Sequence, residues 1–362
     1  EIYTLSLHDA LPIFGRSFLN CVVPNDIAAL AVGDTVYTHL LTPDGNVIDD
    51  LIIYHVSLEE YMIVVNAAND EKDWAWLNAV KDGTVLVDRD APGARAFGRG
   101  VVLEDLRDPE AGERMRVDIA LQGRASVQIL EQYDMVASDR ARLQRLAKGK
   151  VIRVNLGGYD VIISRTGYTG EKFSYEIFVH PDKAPALWTD LLNIGSAFGI
   201  LPCGLAARDS LRIESGLPLY GHELAGPYNY RLSEVGFSHF VKIYKPWFIG
   251  RSAFLSEVEE KKRRLVRFTI KGKSQRLAQP GDPLFDEKGK VVGVVTSCSI
   301  DSEGGVVGLA MVDIAFAVEG TEFVIYQNAA RTTMKKLDEL KLGDKLPMPS
   351  TAVVLRRYPK LA

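Results

Sequence analysis

Six short β-rich runs close this chain: LVRFTI (265–270), DPLFD (282–286), VVGVVTS (291–297), GVVGLAMV (305–312), TEFVIY (321–326) and TAVVLRRY (351–358). Strands this short, punctuated by glycine turns, read as a small barrel or sandwich. A charged stretch, LSEVEEKKRR (255–264), precedes them and sets a domain boundary near Lys261.

The earlier part alternates sheets and helices. TVYTHLLT (35–42), VIDDLIIYHV (47–56) and EEYMIVVN (59–66) predict an antiparallel set with a turn at PDGN (43–46). Asn69 and Asp70 then cap a helix with Trp74, Leu77 and Val80 on one face. Residues 82–116, with six arginines, a strand-like VVLEDL and a turn at RDPEAGE, read as an exposed hairpin insertion with a solvated face. VDIALQG then leads into helices at 126–134 and 138–147, strands RVNL and YDVIISRTG, an amphipathic helix over 183–198 and another over 204–214.

At 47% hydrophobic and 25% charged, a chain of 362 residues has enough apolar side chains for two or three domains. No apolar run is long enough to span a bilayer. Residues 1–13, EIYTLSLHDALPI, resemble a translated sequencing adapter and are set aside as a non-native segment. A genuine opening segment is then expected to be missing. Without Glu1 and Asp9 the acids fall from 47 to 45 against 43 bases, so the net charge moves from −4 to −2. Such a balance gives no support for nucleic acid or an anionic membrane as partner. Cys21, Cys203 and Cys298 are far apart and form no CxxC, which points to a reducing, cytoplasmic compartment.

The pair Asp49-Asp50 is the strongest chemical signal. A strand turns successive side chains to opposite faces, so the two acids must meet different surroundings inside an apolar run. A carboxylate held there finds donors or has its proton affinity raised. A solvated turn around Asp44-Gly45-Asn46 is the plain alternative. SRTGYTGE (164–171) brings Tyr168 between glycines, as a hairpin turn also would. Arg208 and Arg212 stand four apart on one helical face, beside Asp209 and Glu214, the spacing of a surface ion ladder. Asn66 and Asn69 end a strand and start a helix, where capping is a sufficient role. No HxxxH, HxH, GxSxG or GxGxxG is present, so a metal site, a hydrolase elbow and the usual dinucleotide fold have no support.

Taken in order, NVIDDLIIY, VVNAANDEKD, SRTGYTGE, GLAARDSLRIE, FIGRSAF and the final barrel resemble the folate-dependent aminomethyltransferase (T-protein) family of the glycine cleavage system, over residues 14–362. The resemblance implies an α+β chain folded as a three-domain cloverleaf around a central folate channel. Two α+β domains with antiparallel sheets would cover 14–115 plus 223–258 and 116–222, and a β-barrel 262–362. It implies tetrahydrofolate as cofactor, with a lipoylated carrier (H-protein) delivering an aminomethyl group.

Residue by residue, the resemblance makes Asp50 the catalytic acid and Arg208 its active-site companion. Glu176 matches the glutamate that grips the pterin, and Tyr37, Tyr54, Asn66, Tyr168 and Tyr220 match positions lining the cofactor. Leu217 stands where the family commonly has tyrosine and His239 where it has tryptophan, both at the substrate end. The stretch GEKFSYEIF is one residue longer than usual before Glu176, and the arginine-rich segment 89–116 is also extended. These departures leave two alternatives beside aminomethyl transfer: a tetrahydrofolate-dependent demethylase of a small methylated compound, and a non-catalytic folate-binding protein. Against the latter, YKPWFIGR lacks the cysteine of its KGCYxGQE motif.

Overall fold

A computed structural model describes residues 2–9, 12–58, 60–95, 98, 100–272, 276–327, 341–343 and 349–359. Compactness divides the chain into two units, 1–202 with 237–257, and 203–236 with 258–362.

The first unit holds two antiparallel sheets. One has five strands, β1 (Ile2–Asp9), β2 (Thr35–Leu41), β3 (Val47–Ser57), β4 (Glu60–Asn66) and β5 (Val101–Asp105), in the order β2-β3-β4-β1-β5. Helices α1 (Pro12–Val22) and α2 (Asp70–Lys81) cover one face, where Phe18, Leu19 and Val22 meet Leu51, Ile53, Ile63, Val65, Leu77 and Val80. The second sheet, β6 (Val117–Gln122), β7 (Val151–Leu156), β8 (Tyr159–Ser164) and β9 (Ser174–Val179), is ordered β6-β9-β8-β7. Helices α3 (Ser126–Leu130), α4 (Ala137–Gln144) and α5 (Ala184–Gly195) belong with it. An apolar layer of Tyr54, Met62, Val64, Val151, Ile162 and Phe178 joins the two sheets. That shared layer is why they form one compact unit instead of separating at residue 115.

Two expectations change here. The described residues of 82–116 do not form a hairpin: β5 pairs with β1, not with a neighbour in sequence. Of the arginines expected on a solvated face, Arg89 and Arg114 are exposed and pair with Asp44 and Glu104, whereas Arg116 is buried and pairs with Asp160. The segment set aside at the N-terminus is itself placed in the sheet, its backbone paired with β4 on one side and β5 on the other. Strand pairing uses main-chain groups, so an edge accepts an extended chain with little regard to its side chains.

The second unit contains α6 (Leu205–Glu214), a long loop and a closed barrel ordered β10-β13-β12-β11-β14-β15, the division falling within α7 (Arg251–Glu259). The strands are β10 (Arg263–Ile270), β11 (Pro283–Phe285), β12 (Val291–Ile300), β13 (Val306–Asp313), β14 (Glu322–Ile325) and β15 (Ser350–Leu355), matching the six runs read from sequence. Phe268, Leu284, Val295, Ala310, Phe323 and Val354 fill it. Gly308 is required at its place, because an added methyl would run into the Phe268 ring. Residues 203–222 and 223–236, expected with the two sheet domains, pack with this barrel. The reason is Arg212: fully buried, it meets Glu223 at 3.2 Å and Ser297 of β12 at 2.8 Å. No helix among the described residues is long and apolar enough to cross a membrane.

Candidate active site

Strand β3 places Asp49 and Asp50 on opposite faces, as alternation requires. Asp49 points into the helix-covered side and is fully buried. Its carboxylate accepts from Asn66 N at 3.2 Å, Asn66 Nδ2 at 3.0 Å and Asn69 Nδ2 at 2.7 Å. Asn69 opens α2 but makes no side-chain cap, its amide being spent on Asp49.

Asp50 is half-buried on the other face, paired across the ladder with His39 of β2. Tyr37 Oη donates to its Oδ2 at 2.9 Å and Asn66 Nδ2 to its Oδ1 at 2.9 Å. Burial, and then the charge of Asp49, push the Asp50 carboxyl up to about 6, although both donors pull it down. At neutral pH it is an ionised acid of unusual basicity. Burial, and then the charge of Asp50, raise the Tyr37 hydroxyl well above its ordinary range, so Tyr37 stays a donor.

Aromatic rings wall this face. Tyr37 lies edge-on to Phe237 at 5.7 Å and to Phe240 at 5.0 Å, and the exposed His239 rests on Phe240 at 3.9 Å. His39 is buried among them, neither ring nitrogen meeting a partner among the described residues, and burial pushes it down to about 3. It is a neutral packing group. Tyr168, half-buried in its glycine turn, is near enough to Tyr37 to bear on its ionisation.

Tyr54 and Glu176 form a separate pair. Tyr54, expected to line a cofactor, is completely buried against Phe178, and its hydroxyl donates to Glu176 Oε2 at 2.8 Å. Thr166 donates to the same oxygen. Tyr54 thus orients Glu176 and offers a ligand no surface of its own.

Arg208, Leu217 and Tyr220 belong to the second unit. Arg208 is exposed on α6, whereas Arg212, one turn on, is 1% exposed and held by Asp209, Glu223, Ser297 and the Leu217 carbonyl. The pair is therefore no surface ladder. Leu217 and Tyr220 are half-buried.

Sequence reasoning missed Asp73, Phe237, Phe240 and the Arg212 cluster. For Asp73 a signal existed: positions 73, 77 and 80 share one helical stripe, and the other two are apolar. No comparable spacing marks Phe237 and Phe240, which reach the sheet from a distant segment.

Two antiparallel sheets and a closed barrel make this an α+β chain, and a half-buried carboxylate of raised proton affinity is the chemical centre of its candidate site. Residues 13–245 match the GCVT N-terminal domain, and residues 263–339 the glycine cleavage T-protein C-terminal barrel domain. The chain belongs to the glycine cleavage T-protein family. Relatives include the aminomethyltransferase of Halothermothrix orenii, 37% identical over 88% of this chain and 81% of that one. That of Bacillus subtilis is 35% identical over 84% and 76%. The crystal structure of aminomethyltransferase T from Bartonella henselae is similar at a TM-score of 0.74 and 26% identity, covering 98% of this chain and 83% of that one.

Proposed function

We propose that this chain is a tetrahydrofolate-dependent aminomethyltransferase: it takes the aminomethyl group from the lipoyl arm of a carrier protein, gives the one-carbon unit to tetrahydrofolate and releases ammonia. The observation that carries the reading is the Asp50 carboxylate, its proton affinity raised, its two oxygens fixed by Tyr37 and Asn66, beside an aromatic wall. A flat ring bearing N–H donors fits such a wall and acceptor. When bound, tetrahydrofolate supplies the nitrogens that receive the one-carbon unit.

The chain's residues supply position and proton traffic. Asp50 takes a proton at a carboxylate oxygen and returns it to the leaving amine, an exchange worth roughly 10²- to 10⁴-fold in rate. Tyr37 and Asn66 hold that carboxylate in one orientation. Glu176, oriented by Tyr54 and Thr166, is the acceptor for the pterin's N–H groups. Arg208 is proposed to hold an acidic or carbonyl group, and Tyr168 and Tyr220 to pack on the ligand. A cytoplasmic location goes with this reading, in keeping with three cysteines that stand far apart in the sequence and form no CxxC.

Turnover of aminomethylated, lipoylated carrier with tetrahydrofolate tests the reading. Methylene-tetrahydrofolate and ammonia in equal amounts are expected. Inactivity with the carrier together with turnover of small methyl donors would overturn it in favour of a demethylase.

A further inference from the structure

Asp73 is a carboxyl group without a visible reason to be where it is. It sits on the stripe of α2 that carries Leu77 and Val80, is 0% exposed, and neither of its oxygens meets a donor among the described residues. What it faces is the carboxylate of Asp49, and beyond it Asp50. The nearby cation is Lys72 of the same helix, whose ammonium donates to the Ile48 carbonyl at 2.5 Å.

The donors decide where a proton must be. Asp49 receives three N–H groups, the environment of an ionised acid, whereas Asp73 receives none. Two buried carboxylates cannot face each other without a proton between them, and an ionised Asp73 would have nothing to stabilise it. We propose that Asp73 is a positioning residue for Asp50: a neutral carboxylic acid whose O–H donates to Asp49, closing a chain from Asp73 through Asp49 and the Asn66 amide to Asp50.

Burial, then the hydrogen bond and charge of Asp49, raise the Asp73 carboxyl to about 10, against the pull of Lys72. Asn66 Nδ2 donates to both Asp49 Oδ1 and Asp50 Oδ1, so a displaced Asp49 takes the Asp50 donor with it. The kinetic part of the inference rests on the proposed role of Asp50. The protonation part does not.

Asp73→Asn keeps a neutral donor toward Asp49, and Asp73→Leu keeps bulk without one. In equilibrium urea unfolding, the folding constant of the wild type relative to Asp73→Asn is expected to fall about tenfold per pH unit between roughly pH 5 and 8, because the native state alone retains the proton. An infrared carboxylic-acid C=O band at neutral pH should be present in the wild type and absent from Asp73→Asn. A flat ratio, or no band to lose, would show Asp73 ionised and sink the proposal. In turnover, Asp73→Asn should keep kcat within about threefold while Asp73→Leu loses about 10²-fold in kcat at unchanged KM, the size of a small misplacement. Wild-type kcat in Asp73→Leu would overturn the positioning role. Should Asp50→Asn prove fully active, the reading of Asp50 falls while the pH slope still decides the state of Asp73.

Discussion

Asp49 and Asp50 are neighbours in sequence and strangers in environment: Asp49 is fully buried under α2 with three N–H donors, and Asp50 faces the aromatic wall with a tyrosine hydroxyl on its outer oxygen. The Asn66 side-chain amide touches both, at 3.0 Å and 2.9 Å. The buried charge of one acid therefore tunes the other.

Asp50→Asn should leave tetrahydrofolate affinity within a few-fold by calorimetry and lower kcat by roughly 10²- to 10⁴-fold. The active form is the carboxylate, and its value is raised to about 6, so wild-type turnover is present above that pH and declines as pH falls through it. A rate level down to pH 5 would contradict this.

Tyr37→Phe removes an O–H that favours the ionised acid. The acidic limb of the pH–rate profile should move upward by about one pH unit, the equivalent of a hydrogen bond of about 1.4 kcal/mol. A downward move would mean Tyr37 does not act as the donor.

Tyr54→Phe leaves Glu176, 6% exposed, with one hydroxyl fewer. A loss of about 1–3 kcal/mol in unfolding free energy is expected from an undersatisfied buried acceptor. Tetrahydrofolate affinity should weaken as well, because the carboxylate loses its fixed direction.

Arg212→Met strands Glu223, which is 0% exposed and otherwise keeps the Ser297 hydroxyl and the Leu219 amide. Removing one partner of a buried ion pair costs about 3–5 kcal/mol. Adding Glu223→Gln should recover part of it, and a double variant no more stable than the single one would argue against the pair.

Much of the fold was readable because the signals were local. The six barrel strands, the β2-β3-β4 set and the helix over 70–81 each carry their own period and turns. The paired acids were readable for the same reason, since alternation alone separates them. The partnership of β5 with β1 was not, because an edge strand's neighbour depends on which edges remain free. Nor was the difference in burial between Arg208 and Arg212: both lie on one helical stripe, and only packing against β12 selects the one to bury.

By itself, then, the sequence determined that an acid pair would be split across a strand, that six strands would close the chain, and which family the ordered motifs resemble. Tertiary structure decided which face of β3 receives α2, and so which acid is buried with Asp73 and which meets the aromatic wall. Alternation fixes only that the faces differ, whereas proton affinity follows from burial and from charges that arrive from distant parts of the chain.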